Sequence, residues 1–239
     1  VAGLEQLPSP HPGTIVLSEH QRPKVTMSQQ AIINFGAPRS GTTFMQLCLK
    51  RLPDILAMKL PEMRKLHPAK SADGLIELAR WFSGLGWDLT FVRTVRHPVE
   101  IVESFEAARF HPALKDEVAG LARNTDADVL RWIRSESEGF HAQCETLRQL
   151  HDTSRKVRRP VQIVEVRYEN LASEAQRGAY ARLIAPNHPQ VLEEAFAEFG
   201  RTPARTGRLS HGIGRMLNGD RRAWFEKELA DVIEREGYA

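Results

Sequence analysis

The residues best suited to chemistry are Gly36-Ala-Pro-Arg-Ser-Gly-Thr-Thr43. They have the frame of a nucleotide phosphate loop, G-x-x-x-x-G-K-[ST], with Thr42 where the lysine belongs. Successive backbone N–H groups in such a loop, with the helix N-terminus that follows, make an anion cradle. The glycines let the backbone approach the anion closely. Pro38, Arg39, Ser40, Gly41, Thr42 and Thr43 are the residues expected to line it, with three hydroxyl donors and Arg39 as the cation inside the loop. A bare G-x-x-x-x-G would read as a glycine turn before a helix. The strand–APRSGTT–helix setting favours an anion site.

The missing lysine narrows the ligand. An ATPase uses that lysine on the β- and γ-phosphates and uses magnesium to neutralise the triphosphate. The later strands, Thr90–Val95 and Gln162–Val166, offer only Glu165 as an acid for magnesium. The loop is therefore expected to hold something less charged than a triphosphate, without a metal. A second basic site follows at Arg93-Thr-Val-Arg96-His-Pro98, with Ser104 eight residues after Arg96. Arg96 falls at a strand's C-terminal end, where open α/β sheets bind ligands. Ser104 falls about two turns into the next helix. Together they could grip a second phosphate, although alone the pair would read as a solvated arginine and a helix-surface serine. A third segment, Ser210-His211-Gly212-Ile-Gly-Arg215, is basic and rich in donors.

These residues must be held by strands that alternate with helices. Apolar runs predict strands over Ala31–Phe35, Asp54–Met58, Leu89–Val95 and Val161–Val166. Helical spacing predicts helices over Thr42–Arg51, Ala72–Phe82, Pro98–Ala108, Asp126–Leu150, Glu174–Ile184 and Pro189–Phe199. A loop is expected over Gly200–Asp220, then a last helix over Arg221–Glu236. Alternation of this kind implies an α/β fold with a central, mostly parallel sheet flanked by helices. Residues 1–26, with four prolines and at most one short strand over Gly13–Leu17, read as an extension or linker; residues 27–239 read as one domain.

Composition excludes several classes. The 239 residues are 41% hydrophobic and 26% charged, an ordinary globular balance. Cys48 and Cys144 are the sole cysteines, which rules out a disulfide-stapled scaffold and a four-cysteine zinc site, while one bridge stays open. No run approaches a membrane span, and Val1–Pro10 carries no secretory signal pattern, so a cytoplasmic protein is expected. A net charge of +3 is too mild to argue for nucleic acid.

Taken together, the motifs resemble those of the sulfotransferases that use 3′-phosphoadenosine 5′-phosphosulfate (PAPS). APRSGTT resembles that family's 5′-phosphosulfate loop, and VRHPVEIVESF its 3′-phosphate motif, including the arginine–serine spacing. Val166-Arg-Tyr-Glu-Asn-Leu171 resembles its strand-ending Y-E-[DN]-L segment. SHGIGR, followed by Trp224 and Gly237-Tyr238, resembles its glycine motif, although Arg215-Met216 stands where tryptophan is usual. The match spans about residues 31–239. The resemblance implies a three-layer, P-loop NTPase-like fold. It also implies in-line transfer of a sulfuryl group from PAPS to a hydroxyl or amine, leaving the 3′,5′-bisphosphate (PAP). Tyr168 would contact the nucleoside, and Ser210, His211 and Gly212 would help bind the nucleotide.

A base should take the acceptor's proton. In arginine-loop relatives a glutamate after the second strand does so, which points to Glu62; many cytosolic relatives use histidine, which makes His67 the alternative. Arg39 would stabilise charge but is a poor proton donor. Trp81, Phe82 and Trp87 could wall an acceptor site or simply pack. His97 reads as structural or nucleotide-adjacent, and His111, His141, His151 and His188 read as surface. The acceptor, a small molecule, carbohydrate or peptide, is not named by the sequence. A P-loop kinase and a non-catalytic nucleotide-binding module are the competing readings.

Overall fold

Side chains alternate along each strand, and that period decides which layer each residue joins. The computed structural model describes residues 29–60, 74–109, 125–152, 161–198 and 217–238. The elements are β1 (Gln30–Phe35), α1 (Thr42–Leu49), β2 (Ile55–Lys59), α2 (Gly74–Gly84), β3 (Asp88–Val95), α3 (Pro98–Arg109), α4 (Asp126–Asp152) and β4 (Val161–Arg167). A 3-10 turn (Tyr168–Ala172), α5 (Glu174–Ile184), α6 (Pro189–Ala197), α7 (Gly219–Glu228) and α8 (Ala230–Arg235) follow. The four strands are parallel throughout, in the order β2-β1-β3-β4. Ile32 lies beside Ala57 on one side and Thr90 on the other.

Helices cover both faces, as a buried parallel sheet requires. On one face Ile32, Val92, Val164 and Val166 pack with Phe44, Met45, Leu192 and Phe196 from α1 and α6. On the other, Ala31, Ile33, Phe35, Leu89 and Phe91 pack with Leu75, Leu78 and Phe82 of α2 and Leu147 of α4. A third apolar cluster joins α3, the start of α4, α7 and α8 through Val102, Ile133, Phe225, Leu229 and Val232.

Several expectations change here. Cys48 and Cys144 are both free and buried, one in each face's core, so the sheet separates them and the bridge that the sequence left open does not form. Phe82 and Trp87 pack into the second core, whereas Trp81 lies edge-on to Phe82 and is 40% exposed. The last helix begins earlier than expected, because the Asn218 side chain caps it by accepting the Arg221 N–H at 2.8 Å. It is also two helices. The Arg134 side chain of α4 donates to the Glu228 carbonyl, and the Val232 N–H turns to Leu229 instead, at 3.0 Å. A side chain inserted into the helical ladder is a known cause of such a break.

Candidate anion-binding site

The order β2-β1-β3-β4 puts β2 and β3 on opposite sides of β1. The chain leaves β1 through α1 toward one face and leaves β2 through α2 toward the other. A crevice opens at the carboxyl ends of the strands where the winding reverses. The loop 36–41 follows β1 there, Arg96 and His97 follow β3, and Tyr168 follows β4.

The loop turns on unusual backbone angles. Gly41 has φ +100°, and a Cβ there would lie 2.2 Å from Tyr168 Cδ2. Arg39 also sits in the left-handed region, at φ +72°, a strained state of the kind that functional loops hold. Buried Asn34 fixes how the loop enters α1: its Nδ2 donates to the Thr42 carbonyl at 2.6 Å, and its Oδ1 accepts from Thr94 Oγ1 at 3.1 Å. Among the described residues no side chain caps α1 at Gly41, which leaves its first N–H groups to the crevice. Ser40 is 1% exposed, and its Oγ has no hydrogen-bond partner among the described residues.

Among the described residues, three cations border the loop. Arg39 donates from Nε to Ser104 Oγ and from Nη2 to the Ser104 carbonyl, both at 3.2 Å. Arg96 donates from Nη1 to the Arg39 carbonyl at 3.3 Å and lies 5.1 Å over the Tyr168 ring. Its one carboxylate neighbour among the described residues, Glu100, is 3.9 Å away, and its Nε has no partner there. Arg96 and Ser104 are brought together through Arg39: Arg96 donates to its carbonyl, and the Ser104 hydroxyl accepts from its Nε. The third cation escaped the sequence reading: Lys59 Nζ, at the end of β2, donates to Thr43 Oγ1 at 3.0 Å. Its signal was its place at a strand's carboxyl end. Tyr168 is buried against Phe44 and Gly41, so it belongs to the core as well as to the crevice.

His97 caps α3, its Nδ1 accepting the Val99 N–H at 3.3 Å. Burial, opposed by the nearby carboxylates of Glu100 and Glu169, lowers its pKa below the ordinary 6.5. Glu165 is taken by Arg148 at 2.5 Å and lies 3.7 Å from Arg93. His141 is exposed and His188 half-buried. Glu62, His67, His111, Ser210, His211 and Gly212, together with residues 1–26, lie outside the described residues.

Donor groups gather at two stations at this end of the sheet. One is the loop, with amides, a buried hydroxyl and two cations; the other is Arg96 with its aromatic neighbour. No family model matches the chain, and no curated protein matches it in sequence.

Proposed function

We propose that the chain is a PAPS-dependent sulfotransferase with a P-loop NTPase-like fold, moving a sulfuryl group to an acceptor hydroxyl or amine. The observation that carries this reading is the pairing of two anion stations in one crevice, with a buried Ser40 hydroxyl at the first that has no partner among the described residues. The residues suit the nucleotide's 5′ end: a Cβ would crowd the loop at Gly36, 2.4 Å from the Thr94 carbonyl, and at Gly41, so the backbone there is bare. Arg96 suits a 3′-phosphate, and Tyr168 a nucleoside face. PAPS, when bound, supplies the sulfuryl group on its 5′-phosphate, and PAP remains after transfer.

The chain's own residues bind, orient and neutralise. The α1 amides, Arg39, Thr43 and Lys59 oppose the negative charge that builds in transfer. Glu62, or His67 in its place, takes the acceptor proton. Charge stabilisation here comes from fixed protein groups, without a metal in the reading. A cytoplasmic location and a small-molecule, carbohydrate or peptide acceptor belong to the same reading. Among the described residues no helix is long and apolar enough to cross a membrane.

Calorimetric titration tests the proposal, with PAP in the absence of magnesium beside ATP with magnesium. PAP should bind, and Arg96→Ala should lose that binding. An acceptor screen with Glu62→Gln and His67→Ala then separates the two bases. Binding of ATP with magnesium but not of PAP would overturn the reading in favour of a kinase.

A further inference from the structure

Glu169 joins three parts of the chain. Its Oε1 accepts the backbone N–H of His97 at 2.9 Å, and its Oε2 accepts from the Tyr238 hydroxyl at 2.8 Å. His97 directly follows Arg96, and Glu169 directly follows Tyr168, the ring that Arg96 overlies. One carboxylate therefore ties together the backbone beside both members of the Arg96–Tyr168 pair.

That tie is needed because β3 ends just before it. The β3–β4 ladder closes at Val95 and Arg167, so the His97 N–H has no strand partner. Glu169 supplies one with a charged acceptor, a stronger bond than a neutral carbonyl gives. Tyr238 is itself held in place. The Arg167 guanidinium lies 4.7 Å over its ring, the His97 ring meets it edge-on at 5.1 Å, and Arg167 Nη2 donates to the Glu236 carbonyl at 3.2 Å. Burial first, then the Glu169 carboxylate, raises the Tyr238 pKa, so its hydroxyl keeps the proton that it donates. Among the described residues the polar restraints on Arg96 itself are looser: a carbonyl at 3.3 Å and a carboxylate at 3.9 Å, beside the Tyr168 ring at 5.1 Å.

We infer that Glu169 and Tyr238 are positioning residues that aim Arg96 at a ligand's second phosphate, and so set the preference for nucleotides with anions at both the 3′ and 5′ ends. This rests on the two-anion reading given under Proposed function. The two residues act through the His97 backbone and the Tyr168 ring, on one station and not the other.

The test compares PAP with AMP, which lacks the 3′-phosphate, by calorimetry on the full chain. Glu169→Ala should weaken PAP about tenfold, the size of one charge-assisted hydrogen bond, and leave AMP within about twofold. Glu169→Gln should recover most of the PAP affinity, because its carbonyl can accept from His97 and its amide can donate to Tyr238. Tyr238→Phe keeps the ring and loses the hydroxyl, and should weaken PAP by about threefold. Equal losses for PAP and AMP, or no recovery with glutamine, would overturn the positioning role alone. Failure of the unaltered protein to bind PAP would overturn the two-anion reading and this inference with it.

Discussion

Arg93 and Arg96 belong to the same stretch of chain, yet their surroundings differ in kind. Arg93 lies inside β3 with its side chain 5% exposed, 2.7 Å from Glu236 and 3.7 Å from Glu165. Glu236 is equally enclosed and also accepts from Ser137 at 2.5 Å. Arg96, just past the strand, is nearly as buried but has a carboxylate only at 3.9 Å and an Nε with no partner among the described residues. A guanidinium matched closely by carboxylate serves the fold. One that is enclosed yet under-matched is the one the proposed function assigns to an incoming anion. The neighbouring helix strengthens the contrast: Arg222 of α7 holds Glu100 at 3.1 Å and Glu103 at 3.2 Å, which draws Glu100 away from Arg96.

The contrast is open to direct attack. Arg93→Ala leaves Glu236 enclosed without its counter-charge, and should cost about 3–5 kcal/mol of stability. Chemical denaturation measures that. Arg96→Ala should change stability by less than about 1 kcal/mol and weaken PAP by about 10- to 100-fold, measured by calorimetry. If Arg96→Ala unfolds the protein as readily as Arg93→Ala, the distinction between the two arginines collapses. Ser40→Ala sharpens it further. Removing a buried hydroxyl with no partner among the described residues should leave stability unchanged or raise it by about 1 kcal/mol, while PAP binding weakens several-fold. A loss of stability there would show that the hydroxyl is already bonded.

The smallest effect concerns His97. Its pKa is lower in the folded protein than the ordinary 6.5, chiefly through burial. Its contribution to stability is therefore complete above about pH 6.5 and is lost as pH falls from there through the folded value. Imidazole NMR signals followed against pH should give a midpoint below 6.5. A midpoint above it would assign a positive charge to His97 as well as Arg96, and blur the comparison.

Local patterns made much of this molecule readable. The β1–loop–α1 unit is written in an apolar run, two glycines and a helical repeat, and the observed ends fall within two residues of those expected. The places of Arg96, just past a strand, and of Ser104, within the next helix, were legible because strand and helix patterns are local features. What escaped were pairings set by the fold. Arg39 meets Ser104 across 65 positions, and Arg93 meets Glu236 across 143. No periodicity encodes either contact. Asn34 interrupts the apolar run of β1, and its bonds to Thr42 and Thr94 show why a buried amide belongs there. The break at Leu229 was hidden for the same reason, since the Glu228 carbonyl there meets an arginine from a distant helix.

The sheet that keeps Cys48 and Cys144 apart also provides two independent reporters. Burial pushes the Cys48 thiol up to about 12 and the Cys144 thiol up to about 11, so neither forms much thiolate near neutral pH while its compartment stays shut. Modification of either sulfur then requires the helices on its own side to lift. Labelling rates followed separately at the two positions would measure how often each half of the molecule opens, and whether the halves breathe together or apart.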